Sequence, residues 1–315
     1  MDLKQLEYFV RVAEFGSFSR ASMVLNIAQP ALSRQIRALE VEFRQTLLIR
    51  NGRGVTMTEA GRLLLSHSLG VLQQVEHLKN ALEEQRGSIV GRVVVGMPPS
   101  VGRILAVATV KEFQRRYPNA VLSVVEGLSV HIMEWLQVGK VDLGLVYNPN
   151  SAPTMEIVPL IEEDLFLMAP KPRRTAGLKL GKPVTQAALA DYPLVIPSRP
   201  HAIRMLVETR LADAGLKINV RSEVDSVPAI LDLVAQGLGF AVLPLNAVHS
   251  NQMDALIQPR PITAPRMTSL LAIAKSHQRP ASPLVFHTGQ LIEQLAKSQA
   301  VQGGAKVLLP GQAAH

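Results

Sequence analysis

Four polar side chains share one face of a predicted helix and could hydrogen-bond to a nucleic acid. They surround Pro30, a residue that suits the first turn of a helix because the N–H it lacks would be unpaired there anyway. The four are Gln29, Ser33, Arg34 and Arg37. Side chains of these types donate to phosphates and read base edges in a DNA major groove. The pattern therefore favours a DNA-reading helix.

Two predicted helices must position that face. The segment Ser17–Glu40 carries two apolar stripes at helical spacing, joined by the short connection Asn26-Ile27-Ala28. Helices joined by so short a link must cross each other, which is the geometry of a helix-turn-helix. The helix-turn-helix proper spans Phe18 to Arg37, and an apolar helix at 1–14 packs under it. The alternative is an ordinary surface helix pair in a larger enzyme.

A basic hairpin follows the helix pair. Leu47–Thr58 reads as two short strands around Asn51-Gly52-Arg53-Gly54, and Asn-Gly supplies the positive φ of a hairpin tip. This predicts a wing that follows a phosphate backbone with Arg50 and Arg53. Between residues 20 and 62 arginines outnumber acids, which is an electrostatic footprint for nucleic acid.

After the wing, Thr58 is a plausible N-cap for a long helix that ends before Arg86-Gly87-Ser88. Its apolar residues follow a heptad seam, which is typical of a helix that packs against a partner helix. The seam consists of Leu64, Val71, Val75, Leu78 and Leu82. The pattern predicts a dimerisation helix and hinge.

From Arg92 onward, short apolar runs alternate with amphipathic segments. Such alternation predicts a parallel sheet covered by helices on both faces. Predicted strands include 165–169 and 270–274, and a helix over 283–296 closes the pattern. The small residues and glycines of 299–315 lack periodicity, so this segment is expected to be a disordered tail.

The N-terminal runs resemble a known family. The segments FGSFSRAS, QPALSRQIRALE and RNGRGVTMTEAG, within residues 1–61, are similar to the DNA-binding domain of LysR-type transcriptional regulators. The remainder resembles their ligand-sensing domain of the type 2 periplasmic-binding-protein fold, most closely in nitrogen-assimilation-control (Nac)-like members. The runs that carry this weaker likeness are VEGLSVHIMEWLQVGKVDLGLVYNP, PSRPHAIR and VPAILDLVAQGLGFAVLP.

The expected fold class follows from the patterns and the resemblance. An N-terminal winged helix-turn-helix, all-α with a β wing, and a long linker helix precede an α/β two-subdomain domain like type 2 periplasmic binding proteins. The expected ranges are 1–58 for DNA binding, 59–90 for the linker helix and hinge, 91–298 for effector binding and 299–315 for the tail. Subdomain I is expected at about 91–163 and 267–298, and subdomain II at about 164–266.

Polar residues follow several predicted strands where helices begin. Open α/β sheets bind ligands at this edge, and helix N-termini there favour a small anion or carboxylate. The resemblance implies that Ser100, Ser129, Ser198 and His201 line an effector cleft; Tyr147, Asn148 and Ser226 lie at the same edge. The alternative is that these serines are simply helix N-caps.

Composition narrows the function classes. The 315 residues include 47% hydrophobic types, enough for two or three domains. A net charge of +8 favours an anionic partner. There is no cysteine, and the eight scattered histidines have no zinc-ligand spacing, so no metal site is expected. No phosphate-binding or nucleophile motif occurs, and no secretory or membrane segment is predicted, so we expect a soluble cytoplasmic protein that is not an enzyme and has no cofactor.

The function that joins these features is that of a ligand-responsive transcription factor. Its expected partners are double-stranded promoter DNA, a small-molecule effector and further copies of itself, with the family implying a tetramer made of two dimers. RNA polymerase is a further expected partner, and a membrane is not. Two alternatives remain: a small-molecule-binding or transferase-like α/β protein with a basic oligomerisation segment, and a non-specific architectural DNA protein.

Overall fold

Three short helices meet in one apolar core at the N-terminus. The computed structural model of the protein describes residues 1–52, 54–84, 90–172, 177–277, 282–303 and 306–308. The three helices are α1 (Leu3–Phe15), α2 (Phe18–Leu25) and α3 (Gln29–Phe43). Phe9, Ala21 and Ile36, one from each helix, are buried together. Asn26 ends α2 in the left-handed conformation (φ 53°) and starts the short turn, so the predicted helix-turn-helix is confirmed.

The wing is a two-stranded antiparallel hairpin of β1 (Leu48–Asn51) and β2 (Gly54–Met57). Gly54 has a φ of 140°, and a Cβ there would lie 2.6 Å from the Gly16 carbonyl oxygen, so only glycine fits. The amide of Val55 donates to that same oxygen at 2.9 Å, which docks the hairpin on the end of α1. Arg53, at the predicted tip, lies outside the described residues.

The long helix α4 (Glu59–Glu84) begins at the predicted cap. Thr58 Oγ1 accepts a hydrogen bond from the Gly61 amide at 3.0 Å. The predicted break at Arg86-Gly87-Ser88 lies outside the described residues. Along the predicted seam, Leu64 packs against the N-terminal core and Val75 is half-buried, whereas three residues are exposed. The exposed three are Val71, Leu78 and Leu82.

Subdomain I begins with three parallel strands, in the order β4-β3-β5, and two helices that connect them. These elements are β3 (Gly91–Met97), α5 (Pro99–Arg116), β4 (Ala120–Glu126), α6 (Ser129–Val138) and β5 (Leu143–Tyr147). Buried apolar clusters form on both faces of this sheet. The long strand β6 (Met155–Pro170) then carries the chain out of the subdomain.

Subdomain II is built around the second half of β6. Its elements are β7 (Val184–Thr185), a 3₁₀ helix (Ala187–Asp191), β8 (Leu194–Ile196), α7 (Ala202–Ala212), β9 (Val220–Glu223), α8 (Val227–Ala235), β10 (Ala241–Pro244), α9 (Leu245–Ser250) and β11 (Ile257–Thr263). Strands β10 and β11 both pair antiparallel with β6, while β8 and β9 pair parallel. A separate apolar core fills this subdomain.

The chain returns to subdomain I through β12 (Thr268–Ser276), α10 (Pro283–Gly303) and β13 (Lys306–Val307). Strand β12 pairs antiparallel with both β5 and the first half of β6, so the prediction of a purely parallel sheet is wrong here. The reason is that β6 and β12 lie side by side while the chain runs out along one and back along the other. Strand β6 changes partners between Asp164 and Leu165, beside the predicted subdomain boundary.

The expected tail from Gln299 is wrong for the part that the structure describes. Helix α10 continues to Gly303, and β13 pairs with β6 at Ile161 and Glu162. Small residues allow this, because Ala300 is buried against subdomain I, and Leu308 beyond the strand is buried as well. Residues 309–315 lie outside the described range.

Helix α4 also contacts subdomain I directly. A Cβ on Gly70 would lie 1.7 Å from the Val138 carbonyl oxygen, so α4 passes the end of α6 at a distance that only glycine permits. The Gln73 amide nitrogen donates to Asp142 Oδ1 at 2.6 Å. The same carboxylate accepts from the Val94 amide at 2.7 Å. These contacts fix the linker helix to the first strands of the effector domain.

Candidate nucleic-acid interface and effector cleft

The outer face of α3 presents the predicted DNA-reading residues. Leu32, Ile36 and Leu39 are buried on the inner face, which fixes the rotation of the helix. The outer face consequently exposes Gln29, Pro30, Arg34 and Arg37, with Ser33 partly exposed. Within the described residues, neither Arg34 nor Arg37 forms an ion pair. Both guanidinium groups are therefore available to an anionic partner.

Arg50 joins the wing to α3. Its Nη2 donates to Ser33 Oγ at 2.6 Å, and its guanidinium carbon lies 4.1 Å from the centre of the Phe18 ring. Ser19 Oγ makes a similar link, donating to Gln29 Oε1 at 3.0 Å. A cation held on an aromatic face and bonded to a hydroxyl has lost much of its freedom. Arg50 and Ser33 thus form one preorganised group rather than two independent side chains.

A cavity of about 440 Å³ lies between the two subdomains. Besides the short α9, four helices begin at its wall, and none of the four has an acidic residue in its first turn. These helices are α5 and α6 of subdomain I and α7 and α8 of subdomain II. Free N–H groups and the partial positive charge of a helix start favour an anion. Arg103 adds a formal positive charge to the lining.

Five of the seven predicted effector residues line this cavity: Ser100, Ser129, Tyr147, His201 and Ser226. Asn148 and Ser198 do not. The Asn148 side chain bonds Ser269 Oγ at 3.1 Å and the Leu270 amide at 2.8 Å, so it holds β5 to β12. Ser198 bonds Asp225, a cavity residue, through both its amide and its hydroxyl.

The serines are not acting as helix caps. Ser129 Oγ accepts from the Tyr147 amide at 2.9 Å, and Ser100 lies inside the first turn of α5, whose N-cap is Pro98. Ser226 occupies the N-cap position of α8, yet its side chain makes no cap hydrogen bond. Only His201 caps a helix, with Nδ1 accepting from the Ile203 amide at 3.3 Å. The N-cap alternative is therefore wrong for these serines.

The predicted effector residues do not include three charged residues of the cavity: Arg103, Glu163 and Asp225. Burial raises the pKa of Glu163 to about 6, and burial together with Glu163 raises the pKa of Tyr147. Hydrogen bonds from Ser198 lower the pKa of Asp225, and burial lowers the pKa of His201. The run of three acids at 162–164 inside a strand was the signal that could have found Glu163.

Among the residues with described positions, no group of three or more histidine, cysteine, aspartate or glutamate side chains could hold a metal ion. In the same part of the chain, no helix is long and apolar enough to cross a membrane.

A DNA-reading helix with a wing, joined by a long helix to a two-subdomain domain with a cleft, defines a ligand-responsive transcriptional regulator. The chain belongs to the LysR family. Residues 3–62 match the bacterial regulatory helix-turn-helix protein, lysR family, and residues 86–297 match the LysR substrate binding domain. Members of this family are transcriptional regulators, which removes the architectural alternative and leaves catalysis without support.

Individual relatives cover nearly the whole chain. The nitrogen assimilation regulatory protein nac of Klebsiella aerogenes is 30% identical over 303 residues, 96% of this chain and 97% of that protein. A probable cat1 operon transcriptional activator of Acinetobacter lwoffii is 33% identical, over 94% and 96% of the two chains. A crystal structure of full-length CbnR with its target DNA has the same fold, with a TM-score of 0.67 at 22% identity, covering 94% of this chain and 100% of that one.

Proposed function

We propose that this LysR-type regulator binds promoter DNA through α3 and the wing, and that a small anion or carboxylate in the cleft modulates its DNA binding or its activation of transcription. The observation that carries the proposal is the convergence of four helix N-termini on one cavity shared by two subdomains. A ligand that both subdomains hold binds the closed arrangement better than the open one. That difference in affinity is what shifts a population of conformations.

The effector contacts divide between the subdomains. Ser100, Ser129 and Tyr147 act from subdomain I, and His201 and Ser226 act from subdomain II. Support comes from their positions on opposite walls of the same cavity. Asn148 and Ser198 support the site indirectly: one holds the end of β5, and the other orients a cavity carboxylate.

On the DNA side, Gln29, Arg34 and Arg37 read base edges or phosphates. Ser33 and Arg50 act as one unit at the base of the wing, and Pro30 sets the start of the helix. Support comes from the exposure of this face opposite the buried stripe of α3. Arg53 is proposed as a phosphate contact on sequence grounds alone.

Self-association places two copies of α3 on a two-fold DNA site. The exposed apolar residues Val71, Leu78 and Leu82 support a dimer contact along α4, because water-exposed leucine and valine at heptad spacing are stabilised by a partner helix. Two such dimers form the tetramer, and RNA polymerase is the partner through which a bound tetramer activates.

The proposed protein regulates transcription and does not catalyse a reaction. Of the predicted cavity serines, Ser129 is bonded to the Tyr147 amide and Ser100 and Ser226 lie at helix starts. Among the described residues, none of these three forms a hydrogen bond with a histidine, as a serine nucleophile requires. Neither a cofactor nor a metal has a role in this scheme. A protein that acts on promoter DNA works in the cytoplasm of a bacterial cell.

Fluorescence anisotropy tests the proposal with a labelled promoter fragment from beside the protein's own gene and a shuffled fragment of equal length. The expected result is nanomolar binding to the promoter, far weaker binding to the shuffled fragment, and a steep loss with salt. Arg37→Ala should weaken promoter binding about 10-fold or more, since it removes an exposed cation from α3. Lys217→Ala, an exposed cation on subdomain II, is the matched control and should bind normally.

A titration of small carboxylates into the same complex tests the second half of the proposal. An effector should change the anisotropy or the footprint of the promoter complex and leave the shuffled complex unchanged. Equal weak binding to both fragments, unaltered by Arg37→Ala, contradicts the proposed DNA interface.

A further inference from the structure

Three consecutive acids lie where β6 crosses from one subdomain to the other, and only two of them have strong partners. Glu162 Oε1 accepts from Thr268 Oγ1 at 3.0 Å. Asp164 forms a two-point ion pair with Arg266, with Nη2 to Oδ2 at 2.8 Å. Side chains alternate along a strand. Glu163 therefore points to the opposite face, where it lines the cleft.

Glu163 is poorly satisfied for a carboxyl group in such a place. Among the described residues, its one hydrogen bond is a long contact of 3.5 Å from the Tyr147 hydroxyl, and it forms no ion pair. Its burial is what raises its pKa. A buried carboxyl without a cation is unfavourable unless a bound group supplies hydrogen-bond donors or positive charge.

A site that suits negative charge lies next to Glu163. The Tyr147 hydroxyl that contacts Glu163 also lies beside the Ser100 side chain, in the lining of the same cavity. Ser100 is in the first turn of α5, and its own amide precedes the first helical hydrogen bond, which runs from the Val101 amide to Pro98. A site for positive charge and a site for negative charge thus lie on either side of one tyrosine hydroxyl.

The rest of the cavity wall is largely apolar. Both subdomains contribute to this part of the wall, which includes Leu128, Ile203, Val227, Leu243 and Ala247. The cavity of about 440 Å³ is within the ~300–1,000 Å³ range of small-molecule sites, and far exceeds what a bare ammonium and carboxylate fill. The remaining space suits an apolar side chain.

We propose that the effector is an α-amino acid with an apolar side chain. Its ammonium group binds Glu163 and the Tyr147 hydroxyl, and its carboxylate binds at Ser100 and the start of α5. This deepens the proposed function and rests on it, because it assigns a chemical class to the ligand of the same cleft. A carboxylate without an amine places a second negative charge near Glu163, and an amine without a carboxylate leaves the helix start unused.

Matched ligands test this on the unmodified full-length protein by isothermal titration calorimetry. The first series is L-valine, L-leucine, L-methionine and L-phenylalanine. The second is the corresponding acids without the amine, such as 4-methylpentanoate and 3-phenylpropanoate, and the third is the amines without the carboxylate. At least one amino acid should bind at least tenfold more tightly than both of its matched analogues.

Two variants test whether the ammonium group of the ligand binds Glu163. Glu163→Gln should weaken binding of that amino acid tenfold or more, while binding of the amine-free acid stays equal or improves. Glu162→Gln removes the same charge from the other face of β6 and should leave the affinity unchanged. The ligand series alone decides the matter if a variant fails to fold.

Two results overturn the inference. If amine-free acids bind as tightly as amino acids and Glu163→Gln has no effect, the ligand class is wrong while the proposed carboxylate effector stands. If no amino acid binds, the ligand class is wrong again. The promoter-binding measurement then reports separately on the DNA half of the proposed function.

Discussion

The DNA-reading face and the effector cleft are built in opposite ways. The DNA face comes from one helix and an adjoining hairpin, within about 35 residues of chain from Phe18 to Arg50. The cleft is assembled from the ends of α5, α6, α7 and α8 and from a crossing strand, spread from Pro98 to Ser269. A local face can be built and altered by itself. An assembled cleft depends on the arrangement of two subdomains, and this is what lets it respond to a ligand.

The largest expected effect comes from removing Arg50, the side chain that joins the wing to α3 within the DNA-reading face. Arg50→Met removes the Ser33 hydrogen bond and the charge over Phe18, and should weaken promoter binding by about 1–3 kcal/mol, or roughly 5- to 150-fold. Arg50→Lys keeps the charge but not the planar, forked donor. Anisotropy should find it nearly as weak as Arg50→Met, if Arg50 positions α3.

Because Arg50 belongs to the DNA-reading face, Arg50→Met should leave ligand binding in the effector cleft unchanged. The shift in melting temperature that a cleft ligand produces should be the same in Arg50→Met as in the parent protein. A lysine variant with full promoter affinity contradicts the positioning role and makes Arg50 a simple phosphate contact.

A smaller effect should appear in the cleft as a pH-dependent change in stability. The pKa of Glu163 is about 6 when folded and 4.5 ordinarily, so the folded protein holds this proton more tightly. Its contribution to stability is therefore present below about pH 4.5 and is lost as the pH rises through 6. Glu163→Gln cannot ionise, so without effector it should be more stable than the parent at pH 8, by about 1 kcal/mol.

Chemical denaturation at pH 8 and pH 4.5 measures this difference. Because all other groups are common to both proteins, the advantage of Glu163→Gln should shrink towards zero at the lower pH. An equal advantage at both pH values points to improved packing instead of lost ionisation. Promoter affinity should not change at either pH.

The smallest effect concerns the start of α3. Ala28 occupies the N-cap position and makes no side-chain cap hydrogen bond. Ala28→Ser should stabilise the protein by about 0.5–1 kcal/mol, because its hydroxyl can accept from the Ala31 amide, which in the parent donates to the Ala28 carbonyl at 2.9 Å. The matched control, Ala31→Ser one turn inside the helix, should give no gain. A melting temperature unchanged by Ala28→Ser indicates that the N-cap backbone does not admit the bond.

The same contrast explains what could be predicted from sequence. The helix-turn-helix and its exposed face followed from periodicity and a short connection, both of which are local. The helix predicted over 283–296 begins at Pro283 as α10. The first half of β6 was missed because Pro159 and the acids at 162–164 are poor strand formers, and their strand is stabilised by β12.

The errors in the cleft share a cause. Asn148 and Ser198 lie near the predicted edge, but their side chains turn to Leu270 and Asp225, partners more than 25 residues away in sequence. Glu163 was overlooked because its orientation depends on strand alternation across the crossing. Strand β11 contains Pro259 and Pro261, and it forms because β6 offers an edge to pair with.

The close passage of α4 over α6 has a consequence for building hybrid regulators. Gly70 leaves room for the Val138 carbonyl, and Gln73 bonds Asp142. The linker helix therefore fits the effector-binding domain of its own chain. A chimaera joined after the wing inherits this match intact. One joined within α4 after position 70 sets a foreign residue against Val138, and any side chain there forces the two parts apart. The junction of a chimaera that exchanges effector-binding domains should therefore lie before Glu59.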